Sequence, residues 1–276
     1  MRVRNPKLDF SSSNEAWIPS NREIAFLLNA VSSYTAHFET FAIRAMAEIK
    51  PFLPTDIARD VDTFIRQETA HKHYHGSFNS STWHDESDEY HNLDQSLISY
   101  FANLSEGSIV DRLAYVEAVE SIGVVYAHYF YDVVAPAISD ADPAVMTLWS
   151  WHFAEEFEHR LVPFRAYHAV AGWGPNAYLR RRHSVDRAYN HMKSHAGNVS
   201  AELLKRYRTG MSEGEHRFSI RNQILYFDAL DNYFRPRMER IRSPLYHPKH
   251  DHAPSALISF LDQYDKDQSS LTAQPD

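Results

Sequence analysis

Cysteine is absent from the 276 residues, which excludes disulfides, thiolate nucleophiles, zinc fingers and cysteine-ligated iron–sulfur clusters. Glycine is scarce: eight residues, less than half the usual share of roughly 7%. Glycine-rich phosphate loops and tight hairpins therefore have little material to be built from. Long apolar runs are missing as well. The most apolar stretch, 122–138, is interrupted by His128 and Asp132 and is too short to span a bilayer. No apolar run of signal-peptide length occurs between Met1 and Phe10. A formal net charge of -8 argues against nucleic acid as a partner, because phosphate contacts need clustered Lys and Arg. These absences lead to the expectation of a cytoplasmic, soluble protein with neither a membrane nor a nucleic-acid partner.

What is present is a large apolar fraction, 43%, together with 17 His and 36 Asp and Glu. The first is enough for a sizeable core. The second, without cysteine, points to metal chemistry based on nitrogen and oxygen donors.

The apolar residues recur with helical period. Asn21 to Lys50 reads as one long helix, capped by Ser20 or Asn21 and ended by Pro51. A second is predicted from Pro54 to His75, stopping at Gly76, followed by a polar stretch over 79–91 and a short helix at 93–104. The third long helix spans Ser108 to Val134, closed by Pro136. The fourth spans Pro143 to Ala171, with a kink expected where Pro163 deprives the His159 carbonyl of its donor. Further helices are expected at 175–195, 199–210 and 213–240, and a flexible tail at 266–276 after a single domain covering 1–265. No strand pattern emerges. Four long helices with one long link predict an all-α, ferritin-like antiparallel bundle with additional C-terminal helices.

Acids inside the apolar stripes turn this bundle into a functional reading. Glu39 shares a face with Leu28, Ala42 and Met46, and Glu120 with Leu113, Val116, Val124 and Ala127. A buried ionised carboxylate needs a partner or a metal. The second helix carries Glu68 and His71, three residues apart, and the fourth carries Glu156 and His159 at the same spacing. At that spacing both side chains leave the same face of the helix. Two Glu-x-x-His pairs on alternate helices, with one inward Glu on each of the others, make the carboxylate-bridged dinuclear pattern. Four carboxylates balance two divalent ions, and imidazoles supply firmer neutral donors.

His152 lies one turn before Glu156 on the same face. Glu155, three residues after His152 and four before His159, is the alternative to Glu156. Glu117 is the less centred alternative to Glu120. His75, one turn beyond His71, is expected to line the pocket or to support it by hydrogen bonding. Glu158 is expected to point away from the site.

Carried by 67–75, by 149–159, by Tyr233 to Pro236 and by Tyr246 to Pro248, the chain resembles a bacterial family of predicted metal-dependent hydrolases in the ferritin-like superfamily. The likeness extends from the first helix to about residue 262. It departs at Ala36 to Phe38, where the family has a Pro/Gly-containing lead, and at Ser121 and Ile122, which replace a His-aromatic pair. The run His152, Glu156, His159 is also similar to that of di-iron arylamine N-oxygenases. That resemblance implies His152 as a seventh ligand beside Glu39, Glu68, His71, Glu120, Glu156 and His159.

The resulting expectation is a non-haem di-iron enzyme, with two Fe ions or Mn in their place, that uses O2 to oxidise a small organic substrate. Amine N-oxygenation is one such reaction, and an electron donor is required. The alternative is hydrolysis by a metal-bound hydroxide; iron storage is a third and weaker reading. The helices after residue 172 are read as a lid or as the surface of a homodimer.

Overall fold

A computed structural model describes residues 1–82 and 88–272. Among them every regular element is helical. Asn21 caps α1 (Arg22–Ile49) by accepting from the Ile24 N–H, and Pro51, lacking an N–H, helps end it. Next come α2 (Thr55–Thr82), α3 (Asp88–Ser105) and α4 (Ile109–Tyr129), the last capped by Ser108. A π-helical turn, Phe130–Val134, and a short α5 (Ala135–Ala137) follow α4, with the Ala135 N–H bonded to the Phe130 carbonyl. Pro136 cannot donate at the next position, so the helix widens and stops here.

After Asp142, whose carboxylate caps the next helix, come α6 (Pro143–His159) and α7 (Leu161–Ala171). The break at Arg160 is the expected kink: Pro163, four residues after His159, has no N–H to give the His159 carbonyl. Gly172, with φ of 74°, closes α7. The outer helices are α8 (Pro175–Tyr207), α9 (Glu213–Arg242), which opens on a capping box between Ser212 and Glu215, and α10 (Ser255–Thr272).

Several boundaries differ from the sequence reading. α2 runs through Gly76 to Thr82, since one helical glycine costs only about 1 kcal/mol and packing on α1 outweighs it. α8 is continuous through Gly197, whereas two helices were expected. The polar stretch at 79–91 is helical at both ends, and its residues 83–87 lie outside the described ones. Residues 266–272, expected as tail, belong to α10, and 273–276 lie outside the description. α10 was not anticipated, although Leu257, Phe260, Leu261 and Tyr264 recur at helical spacing.

Helix α1 packs on α2, α4 and α8. α4 packs on α6, α7 and α8, and α2 on α6 and α7. The four helices α1, α2, α4 and α6 thus enclose one interior, where Phe26, Phe64, Trp149 and Trp151 are fully buried. Among the described residues no helix is long and apolar enough to cross a membrane.

Candidate metal centre

Each of those four helices contributes acid or imidazole to the middle of the core. Glu39 comes from α1, Glu68 and His71 from α2, Glu120 from α4, and His152, Glu156 and His159 from α6. All seven are buried, the most exposed at 6%. The structure brings them together. Nδ1 of His71 lies 3.8 Å from Glu39 Oε1, 3.9 Å from Glu68 Oε1 and 3.8 Å from Glu156 Oε1. Nδ1 of His152 lies 3.8 Å from Glu39 Oε1. His159 places Nε2 at 3.2 Å from Glu68 Oε1 and Nδ1 at 3.0 Å from Glu120 Oε2.

Two overlapping groups result: Glu39, His71, His152 and Glu156, and Glu68, His71, Glu156 and His159. Within each group, one donor atom per residue lies within 4.8 Å of the others. Donors about 2.0–2.2 Å from a common ion are separated by roughly 3–4 Å from one another, so the spacing suits a cation in each group. Glu120 stands outside both groups, against His159.

The hydrogen-bond inventory supports the same fit. Both oxygens of Glu39, Glu68 and Glu120, both ring nitrogens of His71 and His159, and Nδ1 of His152 are buried without a hydrogen-bond partner. An orphaned buried polar atom is costly and an orphaned charge more so; so many together are intelligible when a cation is their common partner. Burial drives Glu39, Glu68 and Glu156 well above the ordinary carboxylate range, and their mutual repulsion drives them further. Burial pushes Glu120 up to about 8. Burial also holds His71 and His152 well below the usual imidazole range, so both are neutral donors, as metal ligation requires.

Glu155 and Glu156 separate cleanly. Glu156 faces the cluster, whereas Glu155 Oε1 accepts the backbone N–H of Arg4 at 3.0 Å. Its other oxygen lies 3.2 Å from Nε2 of His71. That carboxylate stands close behind the imidazole without a hydrogen bond to it, and Nδ1 is turned toward the cluster, the arrangement in which metal-binding histidines commonly receive support. The Arg4 guanidinium also grips Glu158, at 2.9 and 3.0 Å, so Glu158 does point away from the centre. Glu117 binds Nε of Arg181 at 2.9 Å and takes no part.

His75 belongs to neither group. Its Nδ1 meets Ser32 Oγ at 2.8 Å, and Ser32 donates onward to Asn79 at 2.6 Å. Its ring lies edge-on to His152, 4.7 Å between centroids, and burial pushes its pKa down to about 3.

The sequence reading missed three contributors. Arg4 gave no signal, since its partner is 151 residues away. Trp151, edge-on to His71 at 4.6 Å, was given no role by helical spacing. Gly123 was legible in principle, as a lone glycine inside a long helix. A Cβ there would stand 2.7 Å from Oε2 of Glu156, so the missing side chain makes room for this carboxylate.

One face of the cluster is open to a cavity of about 30 Å³. Glu39, His152 and Glu156 meet it, and Val31, Phe38, Tyr126, Phe153 and Met192 are among its walls. Its volume suits one or two water-sized molecules.

Comparison with curated proteins and with solved structures yields no match. A family model described as predicted metal-dependent hydrolase matches residues 2–252. That span takes in Arg4, every acid and imidazole of the cluster, and all of α1 to α9, so the chain belongs to this family of predicted metal-dependent hydrolases.

Proposed function

We propose that the cluster holds two divalent ions, iron or in its place manganese, and that the protein uses O2 to oxidise a small organic substrate. Glu39 and His152 would hold one ion and Glu68, His159 and Glu120 the other; the Glu156 carboxylate borders both groups, and His71, which also borders both, would give its Nδ1 to one of them. Such a pair of ions, reduced by an electron donor, supplies the capacity to bind and activate O2.

The protein's own part is binding, orientation and exclusion of water. Arg4 holds Glu155 close behind the His71 ring, Ser32 and Asn79 fix His75, and Gly123 leaves the space that the Glu156 carboxylate occupies. The observation that carries this reading is the cavity on the face of Glu39, His152 and Glu156. Its lining offers no acid or base beyond the cluster itself, apart from the phenols of Tyr34 and Tyr126, and burial raises the pKa of both. A water-sized, largely apolar space suits a small oxidant and an apolar reacting group.

The family match favours a second reading, hydrolysis by a metal-bound hydroxide. Family names do not fix chemistry, and oxygen discriminates between the two. The metal-free protein is reconstituted anaerobically with Fe(II), then exposed to O2, and its metal content, absorption spectrum and O2 uptake are recorded. Two irons per chain and a diferric absorption band with stoichiometric O2 uptake are expected. Turnover of ester or amide substrates without O2, supported equally by Zn, overturns the oxidative reading.

A further inference from the structure

The cavity at the cluster adjoins a second one. The two share Val31, Tyr126 and Phe153. The second lies between α1, the end of α4 with its π-helical turn, and α9. Its walls include Leu27, Phe130, Val134 and Leu230, and no charged side chain. Along α1 the two cavities are lined in turn by Ile24, Leu28, Val31, Thr35 and Glu39. Steps of three and four residues place these on one stripe of the helix, about 22 Å long at 1.5 Å per residue. An apolar seam therefore runs from the start of α1 to a carboxylate of the cluster.

Its outer wall, α9, is held unevenly. Phe234, Met238 and Ile241 bury its C-terminal part, whereas between Glu213 and Tyr233 only Ser219 is buried. Phe218, Ile224 and Leu225 on that half are exposed at 66%, 56% and 53%, while Tyr226 and Leu230 turn inward to the seam. Two polar latches fasten this half to α1: Asn21 donates to the Tyr226 hydroxyl at 2.6 Å, and Ser219 donates to Glu23 at 2.6 Å. The cavities beneath, about 20 and 30 Å³, are water-sized, so a larger guest would require this weakly buried half to lift.

We propose that the substrate is an elongated, uncharged apolar molecule, an alkyl chain with at most a small neutral polar end, lying along the α1 stripe beneath α9. Its apolar end reaches the face of Glu39, His152 and Glu156, and its polar end stays beside Asn21 and Tyr226. In the second cavity, whose walls carry no charged side chain, a charged group would lose its hydration without a counter-charge. The inference rests on the cluster being the reactive centre, but the binding itself does not depend on metal.

The test uses the full-length metal-free protein and 12-bromododecan-1-ol, whose bromine quenches tryptophan on contact. Trp149, stacked on Phe153 at 5.2 Å between ring centroids, reports occupancy at the inner end. Saturable quenching is expected, displaced by unbranched alcohols from butanol to dodecanol with about a fourfold gain per methylene. Val31→Phe, which fills the junction, is expected to weaken binding tenfold or more with unchanged circular dichroism. Leu230→Phe fills the seam from α9 and carries the test should the first variant not fold. Affinity indifferent to chain length, or equal in parent and both variants, overturns the proposal. Metal uptake is measured on the same samples. A protein that binds two irons but no alcohol sinks the seam alone; one that binds alcohols but no metal supports the seam and sinks the metal reading.

Discussion

Glu117 and Glu120 lie one turn apart on α4, both 1% exposed, yet the protein treats them differently. Glu117 is neutralised from within the chain: Arg181 donates to it at 2.9 Å and so does Ser121. Arg181 in turn donates to the Ile241 carbonyl and lies over the Tyr246 ring. Glu120, by contrast, faces other acids and neutral imidazoles, with no Lys or Arg paired to it. One buried carboxylate is therefore a structural ion pair, and the other has no cation of the protein against it and, on the proposed reading, is left for a metal ion. Burial and residue type are identical; only the partner distinguishes structure from site.

Breaking the structural pair should have the largest effect on stability. Arg181→Met strands Glu117 in the core and should cost about 3–5 kcal/mol, read as a lower urea midpoint at unchanged slope, while metal uptake per chain stays at the parental value. Glu68→Gln should behave in the opposite way. Without metal it removes one of several repelling buried acids and leaves the urea midpoint unchanged or raised; with metal, uptake by elemental analysis falls by at least one ion per chain. If both substitutions destabilise the metal-free protein alike, the contrast between the two carboxylates disappears.

Glu155→Gln is a smaller perturbation, because the residue lies behind His71 and outside both ligand groups. Metal affinity should fall 10–100-fold, as for other groups that orient a ligating imidazole, with the fold intact by circular dichroism. The pH response of the metal-free protein tests the same acids together. Folding raises Glu120 from 4.5 to about 8, and Glu39, Glu68 and Glu156 move the same way. A raised pKa gives stability that is full below 4.5 and is lost as the pH rises through the folded value. The lowered His71 and His152 act oppositely, costing stability as the pH falls below their usual 6.5. The melting temperature without metal should thus decline from about pH 6.5 toward pH 9. With metal the decline should vanish, since ions compete with protons for the same atoms. An identical decline with and without metal would separate the ions from these carboxylates.

Much of this centre was legible in the sequence because helical spacing is a strong constraint. Glu68 with His71, and His152 with Glu156 and His159, had to leave common faces, and their apolar neighbours said those faces were buried. The choice between Glu155 and Glu156 was not legible. The two differ by 100° around one helix, and the residue that claims Glu155 is Arg4, which helical period cannot place. Helix ends were the weakest part of the reading. Gly76 read as a stop and 196–198 as a gap between two helices, yet long-range packing carries α2 and α8 through both. The seam under α9 was hidden for a related reason: the α1 stripe was visible, but what covers it depends on a helix some 190 residues later.

The Arg4 side chain does more than neutralise Glu158. It also binds Asp265 on α10 at 3.1 Å, so the two ends of the described chain are clasped together directly behind His71. Only Glu155 separates that clasp from an imidazole of the centre. Loosening either end, by unfastening the N-terminal arm or peeling away α10, would therefore be felt at His71 while the four enclosing helices stay in place. The core of this protein is sealed on every helix, but its centre is tuned from the outermost threads of the chain.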